Sequence, residues 1–97
     1  MARVALVCAD LLFGSKLDGM LRAAGHEVAW NSGAEGADAA VIDLAEHPEP
    51  LPVPSLGFYS HVDVETRRSA EAAGFDLVVP RSRMAREGAA LVDRLLA

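Results

Sequence analysis

The stretch ADAAVIDL, Ala37–Leu44, decides the fold. Its apolar residues run consecutively instead of alternating, which is the pattern of a short strand buried on both faces. Strands of that kind belong to parallel sheets with helices packed on either side. The run ends on a carboxylate, Asp43. An acid at the end of a buried strand serves as a phosphorylation site, as a metal ligand, or as the cap of the loop that follows.

Working outward, RVALVC (Arg3–Cys8) has the same unbroken apolar character and predicts a first strand. Phe13, Leu17, Met20, Leu21 and Ala24 then recur at the three-and-four spacing of one helix face. Ser15 with Asp18 is a variant of the capping box near the start of that helix, and Gly25 closes it. EVAW (Glu27–Trp30) reads as a second strand and DAAVID as the third. After Asp43 the segment EHPEPLPVP carries prolines at 48, 50, 52 and 54. Proline at every second position excludes both helix and ladder pairing, so this is an extended connection. LGFY (Leu56–Tyr59) is a fourth strand, Asp63 caps a helix that ends at Gly74, and DLVV (Asp76–Val79) is a fifth strand. A last helix from about Ser82 places Met84, Leu91, Val92, Leu95 and Leu96 on one side. Buried strands joined by helical crossovers define an α/β chain with a parallel sheet and right-handed connections.

The length of 97 residues fits one domain, residues 1–97, and a modest core. The formal charge is −5, and residues 1–50 hold three basic side chains against eight acidic. That balance gives no electrostatic basis for binding nucleic acid. No segment is long enough to span a membrane, and the opening MARVALVCAD is too short and too soon interrupted by Asp10 to be a signal peptide. The single cysteine, Cys8, excludes an internal disulfide and fits a reducing compartment, so a cytoplasmic location is expected.

These segments together resemble the receiver domains of response regulators. DAAVID is similar to their third strand, which ends on the phosphorylated aspartate; RVALVCADLLFGSKLDGMLRAAGHEV resembles their first strand, first helix and second strand. AAGFDLVVPRS resembles the end of their fourth helix and the fifth strand. The resemblance covers nearly the whole chain. It implies an open five-stranded parallel sheet of order 2-1-3-4-5, flavodoxin-like, with helices on both faces. Here the second and third helices of the family are reduced to the connections NSGAEGA and EHPEPLPVP.

Laid on without gaps, the resemblance puts Asp43 at the phosphoacceptor position, Arg81 where the family has lysine, and Tyr59 where it has serine or threonine. The acidic pair that holds magnesium falls on Cys8 and Ala9, leaving only Asp10 one step later. Phosphoryl transfer to a carboxylate needs charge neutralised on the moving oxygens, which Mg²⁺ does from an octahedral set of oxygen ligands. A thiol and a methyl group supply none. A guanidinium is a broad fork instead of a compact ammonium, and a phenol is too large to follow a phosphoryl group as a small hydroxyl does. Arg81 is expected beside Asp43, as an internal substitute for a phosphoryl-linked contact.

Other constellations point elsewhere. Cys8 at a strand end resembles the placement in phosphocysteine enzymes, which would demand a reactive thiol of low pKa. The loop ADLLFGS is too bulky to cradle phosphate, however, and a buried inert cysteine is expected. GSK (Gly14–Lys16) lacks the earlier glycine of a P-loop. His26, His47 and His61 lie in turn-like segments without ligand spacing and read as solvated. Arg81, Arg83 and Arg86, with Arg67 and Arg68 on the neighbouring helix, form a face suited to an acidic protein partner. Trp30, on the outer strand, is expected either under the short connection that follows it or open to a partner.

The resulting expectation is a non-catalytic pseudo-receiver that works by protein contact, without metal or cofactor. A true phosphoacceptor at Asp43 is the first rival and an enzyme using Cys8 the second. With two helices missing, the two connections are expected to be too short and too polar to cover one apolar sheet face fully, even with Leu51 and Val53 folded inward, and a second copy of the chain, as a symmetric homodimer, is expected to complete the core there.

Overall fold

Five short apolar runs become five parallel strands. The computed structural model describes residues 2–31, 33–60 and 64–97. The elements are β1 (Arg3–Val7), α1 (Leu11–Ala23), β2 (Glu27–Trp30), β3 (Ala39–Asp43), β4 (Ser55–Tyr59), α2 (Val64–Ala73), β5 (Leu77–Pro80) and α3 (Arg81–Leu96). All neighbouring strands pair in parallel and lie in the order β2-β1-β3-β4-β5, as the resemblance implies.

Alternate residues of each strand supply two cores. On the first face Val4, Leu6, Cys8, Val41, Leu56, Phe58 and Val79 meet Leu17 and Leu21 of α1 and Met84, Leu91 and Val92 of α3. Helix α1 starts at Leu11, a turn earlier than the Ser15 signal suggested, because the Asp10 carboxylate caps it by accepting from the N–H groups of Leu12 and Phe13, both at 3.1 Å. It ends in a Schellman turn: the N–H of His26 reaches the Leu21 carbonyl and that of Gly25 the Arg22 carbonyl, each at 3.0 Å. Gly25 takes φ +92°, a left-handed angle that costs a residue with Cβ.

The second face is covered by this chain itself, which corrects the sequence expectation. Ala5, Ala40 and Ile42 are fully buried there beneath Leu44, Ala70 and Phe75, with Leu51 and Val53 of the proline-rich connection packed against them. The central strands present Ala5, Ala40 and Gly57 on this side, so they leave no bulk to be spanned by a helix. A strap can lie directly on the sheet. A Cβ at Gly57 would come within 2.7 Å of Leu44 Cδ2 and 3.2 Å of Phe75 Cδ1, which shows how close the cover lies. Alternation along the strap turns Leu51 and Val53 inward and leaves Pro52 and Pro54 exposed. The buried Ser55 hydroxyl pins the strap, accepting from Leu51 N–H at 3.2 Å and donating to the Val53 carbonyl at 2.8 Å. With the face closed from within, the ground on which a homodimer was expected is gone.

Two further expectations change. Trp30 lies neither under the connection nor in the open: its ring covers Gly14, where a Cβ would stand 2.4 Å from Cη2, and its indole N–H donates to Asp18 at 2.6 Å. His26 is not a solvated turn residue. Its side chain is 8 % exposed and is held by the Ala2 N–H at 3.3 Å and by Asp93 at 3.0 Å. His61 and the helix cap expected at Asp63 lie outside the described residues.

Candidate functional site

Parallel α/β sheets gather their loops at the carboxyl ends of the strands, and that end carries Cys8, Asp10, Asp43, Tyr59 and Arg81. Asp43 is the last residue of β3 and is half-buried. Its Oδ1 accepts from the Ala45 N–H at 3.0 Å, while its carbonyl receives the N–H groups of Glu46 and His47, both at 3.0 Å. The acid that ends β3 is therefore built as the cap of its own loop.

Arg81 does not pair with Asp43. Its guanidinium donates to Oδ2 of Asp10 and lies over the Phe13 ring, with Cζ 4.1 Å from the ring centroid. Phe13 rests in turn on Phe58, centroids 5.2 Å apart and rings tilted by 50°. The reason is the packing of α3 beside α1 on the first face. That packing sets the first residue of α3 against the first turn of α1, whereas the Asp43 carboxylate is folded onto its own loop.

The Asp10 carboxylate thus serves three donors: Leu12 N–H, Phe13 N–H and Arg81. The Phe13 N–H and the Arg81 guanidinium hold its carboxyl below the usual carboxylate range. Because the folded state lowers this pKa, it contributes stability above the unfolded value of about 3.9 and loses it as pH falls through the folded value. Thermal unfolding followed below about pH 4 should therefore show an acid-dependent loss that is smaller in Asp10→Asn than in the wild type. Equal slopes would show that Asp10 makes no such contribution.

Cys8 is buried, and burial raises its thiol pKa, with the charges of Asp43 and Asp10 pushing the same way. The thiol donates to the Asp10 carbonyl at 3.4 Å. The cysteine is buried as its loop predicts, and a raised thiol pKa disfavours the thiolate that a nucleophile needs. Tyr59 is half-buried and packs against the second core, on the strap side.

The fold family implies Mg²⁺ at this end of the sheet, and the donor set does not fit it. Cys8 and Ala9 offer no oxygen side chain, Asp10 is taken up by its cap and by Arg81, and Asp43 binds its own loop. Among the described residues no three of His, Cys, Asp and Glu are grouped to hold a metal ion.

The basic residues expected to form a partner surface are on α2 and α3. Arg67 pairs with Glu71 at 3.8 Å, Arg83 with Glu87 at 3.4 Å and Arg86 with Glu87 at 3.9 Å, and Arg68 is exposed. Pairs at exposed positions add little stability and leave the side chains available. The role of Phe13 as the platform under Arg81 was missed, since its spacing marks it only as a core position. Leu11 and Leu12, 71 % and 87 % exposed, also crown this end. Their exposure was readable: with Phe13 and Leu17 facing inward, the two residues before Phe13 point away.

The arrangement is that of a receiver fold, an open parallel sheet of order 2-1-3-4-5. Solved structures similar to it include the receiver domain of the Francisella response regulator 1452, at TM-score 0.81 and 12 % identity over 99 % of this chain and 97 % of that one. The ChxR receiver domain of Chlamydia trachomatis gives TM-score 0.73 and 19 % identity over 99 % and 98 % of the two chains. The non-phosphorylated HemR receiver domain of Leptospira biflexa gives 0.76 and 16 % over 100 % and 95 %. No family model matches the sequence, and no curated protein matches it. Among the described residues no helix is long and apolar enough to cross a membrane.

Proposed function

We propose that the chain is a pseudo-receiver domain, a signalling module that is not phosphorylated and acts through protein contact. The observation that supports this reading most is the state of Asp10. The one carboxylate left near the place of the family's acidic pair is spent on capping α1 and on the Arg81 ion pair. Both of its oxygens are engaged, Oδ1 by two backbone N–H groups and Oδ2 by a guanidinium whose charge opposes a metal beside it. Cys8 and Ala9 cannot replace it, and the Tyr59 phenol is packed toward the strap.

In receivers this side of the domain contacts partners. Here Arg81 ties the start of α3 to the start of α1, and that link holds without phosphoryl chemistry. The module then presents one constant surface, with Arg67, Arg68, Arg83 and Arg86 offered to an acidic protein partner. A reducing, cytoplasmic setting suits the lone buried thiol. A second copy of the chain is no longer required to complete the core.

Labelling with a small-molecule phosphoryl donor in the presence of Mg²⁺ tests the reading. Wild type and Asp43→Asn should both remain unlabelled. Stoichiometric, acid-stable and base-labile label on the wild type that is lost in Asp43→Asn would instead establish a working phosphoacceptor.

A further inference from the structure

We propose that Arg22 guards the open edge of the sheet: held by Asp18, its guanidinium occupies an outward carbonyl of β2 and keeps a second copy of the chain from adding a strand there. The proposal concerns the strand edge and is independent of the reading of Asp10 and Asp43.

A strand at the edge of a sheet presents unpaired backbone groups, and β2 is such a strand. The N–H of Glu27 reaches the Ala2 carbonyl and that of Asn31 the Leu6 carbonyl, each at 2.8 Å. Alternate residues of β2 therefore face β1, and Val28 and Trp30 between them turn their backbone groups outward. A second copy turned about a two-fold axis at Ala29 would set Val28 of each copy opposite Trp30 of the other. That is the antiparallel arrangement in which the two residues exchange both N–H and C=O bonds. The strand itself, EVAW, has none of the lysine or proline that blunts such an edge. Helix α1 supplies the block instead. Arg22, in its last turn, donates from Nη2 to the Val28 carbonyl at 3.2 Å. Its Nε is held by Oδ1 of Asp18 one turn earlier, and Oδ2 of the same carboxylate accepts the Trp30 indole N–H at 2.6 Å. Both outward residues of β2 are thus tied to α1, Val28 through its main chain and Trp30 through its side chain, whose ring lies against Gly14. A strand added at this edge has to displace the guanidinium from the carbonyl it needs.

Removing the guanidinium should therefore open the edge. Arg22→Ala keeps a strong helix former in α1, and sedimentation of the full chain from micromolar to millimolar concentration reads the result. The variant should dimerise at least about tenfold more tightly than the wild type. Hydrogen exchange of the variant at millimolar concentration should show new protection at the amides of Val28 and Trp30 and none at those of Glu27 and Ala29, which already face β1. Adding Val28→Pro, which removes an outward N–H and leaves the bonds to β1 in place, should undo the association. Arg22→Met gives the same comparison if the alanine variant does not fold. Three results overturn the proposal: a folded variant that associates no more tightly than the wild type, association without new protection at those two amides, or association that survives Val28→Pro. A wild type whose Val28 and Trp30 amides gain protection with concentration overturns it as well.

Discussion

Gly57→Val is expected to destabilise the protein by about 3 kcal/mol, a fall in Tm of roughly 12–24 °C for a chain of this size. Valine is an excellent strand residue, so local propensity favours the change. The loss comes from above the sheet. The first carbon added at Gly57 already lies 2.7 Å from Leu44 Cδ2, 3.0 Å from Leu44 Cγ and 3.2 Å from Phe75 Cδ1. The two further methyl carbons have no room unless Leu44 and Phe75 move away. Moving them would loosen the cover over Ala40 and Ile42, which are fully buried in the wild type. Calorimetry or thermal circular dichroism measures the shift. A Tm within about 2 °C of the wild type would mean that Leu44 and Phe75 do not close over Gly57.

Phe58→Ala, one residue on and facing the opposite way, is expected to cost about 3–5 kcal/mol in denaturant unfolding. Phe58 is 1 % exposed in the first core, so truncation leaves a cavity bounded by β4 and both helices of that face. Its ring also backs Phe13, which carries Arg81. The same substitution should therefore loosen the ion pair at the rim as well as the core. A loss under about 1 kcal/mol would contradict the packing described for this face.

How much of this was legible in the residues differs between the frame and the rim. The five strands could be read because four of them are consecutive apolar runs, and the helix ends because Gly25 and Gly74 occur where a left-handed turn is needed. The order of the sheet followed from the family resemblance and from the connections. The closure of the second face was not legible. Ala5, Ala40 and Gly57 read merely as apolar strand residues, and their smallness has meaning only once it is known that a strap lies on them in place of a helix. Leu51 and Val53 alternate with prolines, a pattern that allows them to fold inward without showing that two side chains suffice to close the face.

The partner of Arg81 was misjudged for a related reason. Asp10 and Asp43 both end up at the carboxyl edge of the sheet, and Arg81 is 71 positions from the one it bonds. Strand position alone favours neither. The choice is made by helix packing, since α3 lies against α1, and by local capping, since Asp43 has its own loop to hold and Asp10 its own helix. Two carboxylates that look alike in the sequence are thereby given different work.

The central claim is that this site keeps one state whatever phosphoryl donor or metal is offered to it. Amide ¹H–¹⁵N spectra of the full chain, recorded alone and then with Mg²⁺ and a small-molecule phosphoryl donor, test it most directly. The two spectra should superimpose, including the signals of Asp43, Arg81 and the first turn of α3. Shifts that begin at Asp43, extend through β5 and α3, and disappear in Asp43→Asn would contradict the account.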